Sequence, residues 1–400
     1  MNAISRIRVL GLRMALRLLN FPKPFSFVGP DSALSLCREI AGRGVKRLML
    51  ITDGPLFKLG IVNPILEALQ KTGVTVEVFS EIEPDPSCEL VLKGVERLKS
   101  CKAEAVLAVG GGSSIDGAKS IVLCHANDCH PLKLVGLWLG KIRKKGLPLY
   151  AIPTTAGTGS EVTIVAVISD KQAQIKYSII DPKLVPSMVA LDPKLMVGLP
   201  PYVTAPTGMD ALTHAVEAYI STLATDETDE LALAATANIV HSLPHAYSNG
   251  TDLEVRERMA IASCMAGLAF TRAGVGYVHA IAHQLGGLYH VPHGLANAIV
   301  LPYVLDFSAP YCTHRLADLA RAGGIGESGA SDGELASDFI ARIRKMNSAM
   351  QFPETIKELK QEDFDKIIDR AFAEAHGSYG VPRYLSRGDA TALLEKLMTK

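Results

Sequence analysis

Several features that define specialised classes of protein are missing from this 400-residue sequence. No apolar run reaches the roughly 18 residues that a membrane-spanning helix requires, so we expect no transmembrane segment. Lysine and arginine together number 41, as do aspartate and glutamate, and the formal net charge is zero. Because dense basic blocks are also missing, we expect no nucleic-acid partner.

Cysteine is scarce as well. The seven cysteines are odd in number and scattered along the chain. They predict no disulfide framework, and therefore a reducing, cytoplasmic compartment. Cys124, His125, Cys129 and His130 lie close together. They lack the C-x2-C spacing of structural zinc sites, so we do not favour a zinc site there.

The length exceeds that of one ordinary hydrophobic core, which favours two domains. A hydrophobic content of 48% and a charged content of 20% are typical of a soluble globular protein. The pattern changes at Leu199-Pro200-Pro201 from alternating short strands and helices to helices alone. We therefore predict an α/β domain over 25–200 and an all-α domain over 201–400.

Residues 1–24 form a basic amphipathic N-terminal extension that carries no acidic residue. The pattern predicts either an extra helix on the protein's own surface or a weak contact with a membrane or partner.

The α/β prediction depends on the order of the elements between residues 47 and 109. Strands are predicted at Arg47–Thr52, Val74–Phe79 and Ala105–Val109, with helices at Ile61–Lys71 and Ser87–Ser100. This β-α-β-α-β order predicts a parallel sheet with helices on both faces. Ligands of such sheets bind at the carboxyl ends of the strands.

The third strand ends in a glycine-rich turn, GGGSSIDGAK, over residues 110–119. Three glycines allow close backbone approach, Ser113 or Ser114 could cap the following helix, and the helix N-terminus favours a pyrophosphate. The turn matches neither G-x-G-x-x-G nor the P-loop, so an ordinary tight turn remains the alternative.

Three further stretches could contact a dinucleotide. Asp53 ends an earlier strand, where a carboxylate would favour NAD over NADP, although capping of the next segment is equally compatible. The loop AIPTTAGTGSEVT at 151–163 offers hydroxyl groups and backbone donors, and could also be only a turn. Lys176, on a predicted strand over 174–180, could reach cofactor hydroxyls or be solvated.

Histidines gather in the second half of the chain. His279 and His283 are four apart, as are Asp210 and His214, so each pair shares a helix face. His290 and His293 follow, with His293 predicted on a turn. These groups could hold one divalent metal, or could be satisfied core histidines.

Taken together, GGGSSIDGAK, AIPTTAGTGSEVT, TGMDALTHAVEAYIS and VHAIAHQLGGLYHVPHGLANAIVLP resemble the iron-containing (group III) alcohol dehydrogenase family. The resemblance covers nearly the whole chain from about Phe25. It implies a Rossmann-like, dehydroquinate synthase-like N-terminal domain that binds NAD, followed by an all-α domain that binds the metal. It also implies a homodimer or larger homo-oligomer.

The resemblance assigns roles residue by residue. It implies that Asp210, His214, His279 and His293 bind the metal and that His283 faces the nicotinamide and substrate, and it gives His290 no role. No cysteine ligand is implied, so Fe(II) competes with Zn(II) as the metal. The cofactor-binding residues that the resemblance implies are Asp53, Gly111, Gly112, Ser113, Asp116, Thr154, Thr155, Thr158, Thr163 and Lys176.

The implied chemistry agrees with the residues. A metal held by imidazoles and one carboxylate can polarise an alcohol oxygen, hydride can pass to NAD, and His283 can relay the alcohol proton. Two stretches depart from the pattern of the family. After Thr163 this sequence reads Ile-Val-Ala, whereas members of the lactaldehyde reductase type look like Ile-Asn-Tyr at these positions. At residues 376–383 the sequence HGSYGVPR stands in place of the more usual Asn-Pro-Arg. We therefore expect Val165 and Phe270 to line a pocket for small or medium apolar primary alcohols and aldehydes.

Three other functions remain open at this point. A dehydroquinate synthase-like lyase would need lysines and arginines for a polyanionic substrate, and residues 207–221 and 274–301 contain neither. A hydroxyacid–oxoacid transhydrogenase would keep its NAD bound. A non-catalytic protein with a structural metal would not need the extra histidine, His283.

Overall fold

The computed structural model describes residues 11, 21–137, 142–171, 173 and 175–399. Apart from residues 11 and 21–24, the basic N-terminal extension predicted over 1–24 lies outside the described residues. The described part of the chain divides into an α/β unit, Phe21–Leu199 with Thr251–Cys264, and a helical unit, Pro200–Gly250 with Met265–Lys400. Residues 251–264, expected in the all-α half, thus cluster with the α/β unit.

The α/β unit is built on a six-stranded sheet in which every neighbouring pair is parallel. The strands of the unit are β1 (Phe25–Val28), β2 (Arg47–Asp53), β3 (Thr75–Ile82), β4 (Ala105–Gly110), β5 (Gly136–Leu137), β6 (Leu149–Pro153), β7 (Val165–Asp170), β8 (Ile175–Ile180) and β9 (Met188–Leu191). The six-stranded sheet has the order β1-β9-β6-β4-β2-β3, and a second sheet has the order β5-β8-β7.

Helices of this unit connect the parallel strands. They are α1 (Ser32–Gly42), α2 (Gly54–Lys58), α3 (Asn63–Lys71), α4 (Cys88–Ser100) and α5 (Gly112–Asn127). Side chains alternate along each strand, so Met49 and Val106 enter one apolar core while Leu50 and Leu107 enter the other. The apolar runs predicted as buried strands are therefore covered on both sides, which confirms the parallel-sheet prediction.

The parallel register brings the predicted ligand-binding segments to one edge of the sheet. Gly110 pairs with Pro153 at the end of β4, and the N–H of Thr154 donates to the carbonyl oxygen of Gly110 at 3.0 Å. Asp53 ends β2, the next strand along. The glycine-rich turn and the start of the threonine loop are consequently neighbours.

The α-helices from residue 201 onward belong wholly or partly to the helical unit. They are α6 (Pro201–Ile220), α7 (Asp226–Ser248), α8 (Leu253–Ala273), α9 (Tyr277–Tyr289), α10 (His293–Ala322), α11 (Asp332–Ala349), α12 (Phe364–Ala375) and α13 (Arg387–Leu397). The prediction of an α/β half followed by a helical half is confirmed. Within α10, Cys312 has non-helical dihedral angles, so the helix kinks there.

None of the described helices is, on its own, both long enough and apolar enough to cross a bilayer.

Candidate active site

The candidate metal site begins on α6. This helix is buried over most of its length, as expected for a core helix that is apolar on all sides. Asp210, His214 and Glu217 lie at positions i, i+4 and i+7, which places them along one face. The other buried polar side chains of the helix are Thr204 and Thr213.

Two further elements bring histidines to Asp210. His279 lies in the first turn of α9, and His293 is the first residue of α10. The turn predicted for His293 is therefore wrong: Pro292, in the N-cap position, starts a helix there. His290 ends α9 in a left-handed conformation, is exposed and lies outside the site.

Three donor atoms converge. Ligand atoms of Asp210, His279 and His293 all lie within 4.8 Å of one another. Asp210 Oδ1 is 3.6 Å from Nε2 of His279 and 3.4 Å from Nε2 of His293. A carboxylate oxygen and two imidazole nitrogens in this arrangement are suitable ligands for a divalent metal.

His214, the fourth predicted ligand, is not part of that group of three. Its ring stacks on the ring of His279, with centroids 4.4 Å apart, and on Phe270, with centroids 4.2 Å apart. Phe270, predicted for the substrate pocket, therefore packs directly against a predicted metal ligand.

Glu217 is a site residue that the sequence predictions missed. Its Oε2 is 2.6 Å from Nδ1 of His279, and its Oε1 accepts the backbone N–H of Val278 at 2.7 Å. A carboxylate only accepts hydrogen bonds, so Nδ1 of His279 carries a proton, and Nε2 is the ring atom that faces the cluster. Glu217 could have been predicted, because it lies three residues after His214 on the same helix face.

Asn297 was also missed, although it lies one helical turn after His293. Its side-chain nitrogen donates to Asp210 Oδ1 at 2.7 Å and lies 3.3 Å from Nε2 of His279 and 3.2 Å from Nε2 of His293. Its Oδ1 is buried and has no hydrogen-bond partner among the described residues. Electron-rich atoms therefore converge from three helices, and this donor set fits a metal ion.

The charges of the cluster are strongly coupled. Burial alone would raise the pKa of Asp210, but the imidazoles of His214, His293 and His279 hold it well below its usual range. Burial would lower the pKa of His279, whereas its hydrogen bonds to Asp210 and Glu217 raise that pKa to about 9. Burial lowers the pKa of His293. Negative charge is thus stable in this interior, as a cation site requires.

His283, the predicted catalytic residue, lies next to the cluster. Its ring stacks on that of His293, with centroids 5.3 Å apart, and its Nδ1 is 2.7 Å from Oε1 of Glu374. Glu374 was not predicted, because it lies 91 residues further along the chain. The structure thus gives the extra histidine a carboxylate partner of its own.

The second candidate site lies in the α/β unit, at the glycine-rich turn. Gly110 has a φ of 151° and Gly111 occupies the N-cap position of α5 without any side-chain cap. The prediction that Ser113 or Ser114 caps the helix is therefore wrong, because both lie inside it. The first N–H groups of α5 are left for another acceptor, such as a phosphate.

The threonine loop packs onto this turn. A Cβ on Gly112 would lie 2.6 Å from Thr158 Cγ2, and one on Gly111 would lie 3.4 Å from Thr155 Oγ1. Thr154 is buried and continues from β6. The turn and the predicted loop residues are therefore held together, and glycine at residue 112 is required for their close contact.

Asp116 is used within the protein. Its Oδ1 accepts Ser160 Oγ–H at 2.5 Å, and its Oδ2 accepts the N–H of Val167 at 2.9 Å. The carboxylate therefore ties α5 to the threonine loop and to β7.

Lys119, a buried residue that the sequence predictions did not include, also links α5 to the threonine loop and to β7, from the next turn of the helix. It donates to Thr163 O at 2.9 Å, Thr163 Oγ1 at 3.0 Å and Val165 O at 2.8 Å. Burial lowers its pKa to about 8. Thr163 and Val165, predicted for cofactor and substrate, are thus held by this lysine.

The remaining predicted cofactor residues lie around the same edge. Asp53 caps the short helix α2 by accepting the N–H of Leu56 at 2.9 Å, which shows the capping role considered from sequence. Lys176 pairs with Asp85 at 2.6 Å, and the N–H of Asp85 donates to Ser113 Oγ at 3.3 Å. Lys176 is therefore linked to the glycine-rich turn through Asp85.

The α/β unit offers polar groups around a helix N-terminus, and the helical unit offers a cluster of side chains suited to bind a metal. This combination is typical of a metal-dependent enzyme that uses a nucleotide cofactor. Comparison with known proteins identifies the class. Residues 24–193 match the model of iron-containing alcohol dehydrogenases, and residues 204–398 match the C-terminal model of the Fe-containing alcohol dehydrogenase family. The chain belongs to the iron-containing alcohol dehydrogenase family, as the sequence resemblance predicted, and is an oxidoreductase of that type.

Individual relatives agree with this assignment. The chain is 37% identical to the NAD-dependent methanol dehydrogenase of Bacillus methanolicus, over 88% of this chain and 93% of that protein. It is also 37% identical to the NADPH-dependent butanol dehydrogenase of Clostridium saccharobutylicum, over 94% of this chain and 97% of that protein. A solved 1,3-propanediol oxidoreductase is 35% identical, with a TM-score of 0.91 over 95% of this chain and 100% of its own.

Proposed function

We propose that this protein is a metal-dependent, NAD(H)-linked alcohol dehydrogenase or aldehyde reductase for small or medium apolar primary alcohols. The observation that carries the proposal is the convergence of Asp210, His279 and His293, with Glu217 behind His279. The α/β unit would bind the dinucleotide, and the helical unit would hold the metal. The scattered free cysteines favour a cytoplasmic compartment, and the family resemblance favours a homo-oligomer.

The metal ligands in this proposal are Asp210, His279 and His293, with His214 as the fourth. Bound there, a divalent metal would act as a Lewis acid on the alcohol or aldehyde oxygen. No cysteine belongs to the cluster, so Fe(II) competes with Zn(II), and we propose Fe(II) with Zn(II) as a substitute. Glu217 orients His279, and the amide of Asn297 holds the carboxylate of Asp210.

The chain's own groups would handle the proton and the cofactor. His283 accepts the alcohol proton during oxidation and returns one during aldehyde reduction. Gly111, Gly112 and Ser113 would hold the pyrophosphate at the start of α5, where unsatisfied N–H groups favour an anion. The groups that would contact the nicotinamide and its ribose are Thr154, Thr155, Thr158, Thr163 and Lys176. Asp116 supports this group by holding the threonine loop to α5.

Substrate and cofactor preferences are part of the same proposal. The relatives differ in cofactor, since one is named NAD-dependent and another NADPH-dependent. Asp53 ends β2, where its negative charge would repel a 2′-phosphate, which favours NAD. Val165 and Phe270 are apolar and half-buried, and both residues support the proposed preference for an apolar substrate.

The experiment is oxidation of NADH and of NADPH by metal-loaded protein with a panel of straight-chain aldehydes. We expect turnover with NADH that exceeds turnover with NADPH. The His290→Ala variant is the matched control, since that histidine is exposed and outside the cluster. Silence across a broad panel with both cofactors would contradict the proposal. NAD that stays bound through gel filtration would instead favour a transhydrogenase.

A further inference from the structure

His283 is held from one side by a group of side chains that the metal cluster does not include. Glu374, near the end of α12, places Oε1 2.7 Å from Nδ1 of His283. The O–H of Tyr379 donates to the same Oε1 at 2.6 Å, and Nε2 of Gln284 donates to Oε2 at 3.2 Å. The carboxylate thus has partners on both of its oxygens.

The ionisation state of Glu374 determines which atom carries the proton in its hydrogen bond with His283. Burial would raise its pKa, but the charge and hydrogen bond of His283 and the hydrogen bond of Tyr379 lower it. The pKa of Tyr379 is raised well above its ordinary value, by burial and then by Glu374, so its phenol stays protonated. An ionised carboxylate can only accept hydrogen bonds, so Nδ1 of His283 carries a proton.

This arrangement leaves one ring nitrogen available. In the neutral imidazole, a proton on Nδ1 leaves Nε2 with a lone pair. Nε2 forms no hydrogen bond with any of the described residues. The side chain of His283 is 21% exposed, so its Nε2 can exchange a proton with a bound molecule or water.

We propose that Glu374, supported by Tyr379, is a positioning residue that fixes the ring and tautomer of His283 so that Nε2 exchanges the substrate proton. In alcohol oxidation the O–H proton goes to Nε2, the C–H hydride reduces NAD, and a C=O bond forms. The proton then leaves Nε2 for solvent. The inference rests on the proposed function, which it deepens by naming the residue behind the proton carrier.

Tyr379 belongs to the run HGSYGVPR, which departs from the Asn-Pro-Arg that the family resemblance leads one to expect. The same run contains His376, whose Nε2 is 2.7 Å from the O–H oxygen of Tyr277. This segment is therefore linked to α9 at two places. His376 contacts Tyr277 at the start of the helix, and Tyr379 is linked through Glu374 to His283 in its middle.

The test compares Glu374→Ala, Glu374→Gln and Tyr379→Phe with Asp369→Asn. Asp369 is an exposed carboxylate of the same helix that pairs with Arg387, so it controls for the loss of one charge from α12. For Glu374→Ala we expect kcat to fall roughly 10- to 100-fold, with KM for the aldehyde and metal content unchanged. Glu374→Gln, which keeps an acceptor, should retain more activity than Glu374→Ala, and Tyr379→Phe should fall between wild type and Glu374→Ala.

A spectroscopic readout separates positioning from a structural role. In zinc-loaded protein labelled with ¹⁵N-histidine, the signals of His283 are those absent from a His283→Gln variant. We expect a protonated Nδ1 and an unprotonated Nε2 in the wild type, and a changed tautomer pattern in Glu374→Ala. An unchanged pattern, or an unchanged kcat, would overturn the inference. This spectrum tests it even if no aldehyde is reduced, so its failure can be distinguished from failure of the proposed function.

Discussion

Glu217 illustrates, at the scale of single residues, how a group outside the proposed ligand set can determine what a proposed metal ligand does. It is almost fully buried, and it accepts hydrogen bonds from Nδ1–H of His279 and from the N–H of Val278. Carboxylates placed in this way behind metal-binding histidines fix the ring orientation and raise the basicity of the ligand.

We predict that Glu217→Gln lowers metal affinity by about 10- to 100-fold, because a neutral amide supports the imidazole less well than a carboxylate. The measurement is metal per chain after dialysis against graded concentrations of a chelator. Glu230→Gln is the control, as Glu230 is an exposed residue of the neighbouring helix α7. Equal metal retention in the two variants would contradict a role for Glu217 in metal binding.

Asp53 has two separable roles, one observed and one proposed. Its side chain caps α2, and its charge is proposed to exclude NADP. Asparagine caps helices about as well as aspartate but carries no charge, so Asp53→Asn separates the two roles.

We predict that Asp53→Asn increases the ratio of kcat/KM for NADPH to that for NADH on the order of tenfold, since one close charge repulsion in water is worth ~1 kcal/mol. The melting temperature should not change, because the cap is kept. A constant ratio would mean that Asp53 acts only as a cap.

At the scale of elements, the site depends on how closely two helices approach. Gly294 is the second residue of α10, directly after His293. A Cβ there would lie 2.3 Å from the carbonyl oxygen of Pro206, which belongs to α6. Because that neighbour is backbone, no side-chain rotation can relieve the overlap, and α6 and α10 would have to separate.

We predict that Gly294→Ala destabilises the protein by ~1–3 kcal/mol and reduces bound metal, since Asp210 and His293 lie on the two displaced helices. Gly333→Ala is a matched control: Gly333 is the second residue of α11, and its added Cβ would meet only Ser331 Oγ at 4.0 Å. Thermal unfolding and elemental analysis would measure both effects. Wild-type stability and metal content in Gly294→Ala would contradict this view of the contact.

Elements with a strong periodic pattern could be predicted closely. The helix predicted over 87–100 is Cys88–Ser100, and the strand predicted over 105–109 is Ala105–Gly110. By contrast, α10 continues across Pro302, Pro310 and the kink at Cys312. Proline usually ends a helix, so its presence inside this one could not be expected.

At the scale of the whole molecule, the sequence predicted the parallel sheet but not its strand order. β1 pairs with β9, more than 150 residues further along, through only four residues, Phe25–Val28. Strands this short carry little pattern, and the pairing of distant strands depends on packing that no local stretch determines.

The candidate site divides in the same way. Asp210, His279 and His293 follow from helical spacing and the family resemblance, whereas Glu374 and Tyr379 come from another segment and carry no local signal. Asp116 lies beside the glycine-rich turn, as predicted, but its carboxylate accepts hydrogen bonds from Ser160 and Val167. These partners could not be predicted, because they are distant from Asp116 in sequence. Patterns predict which helix face carries a group, and only the fold shows what that group contacts.

The most direct test of the whole account is elemental analysis of the purified protein together with NADH oxidation by aldehydes, for wild type, His279→Ala and the control His290→Ala. We predict about one metal ion per chain in wild type and in His290→Ala. Metal and activity should be lost together in His279→Ala. Full activity in protein without metal would contradict the metal-dependent mechanism and would leave His283 and the dinucleotide site to account for catalysis.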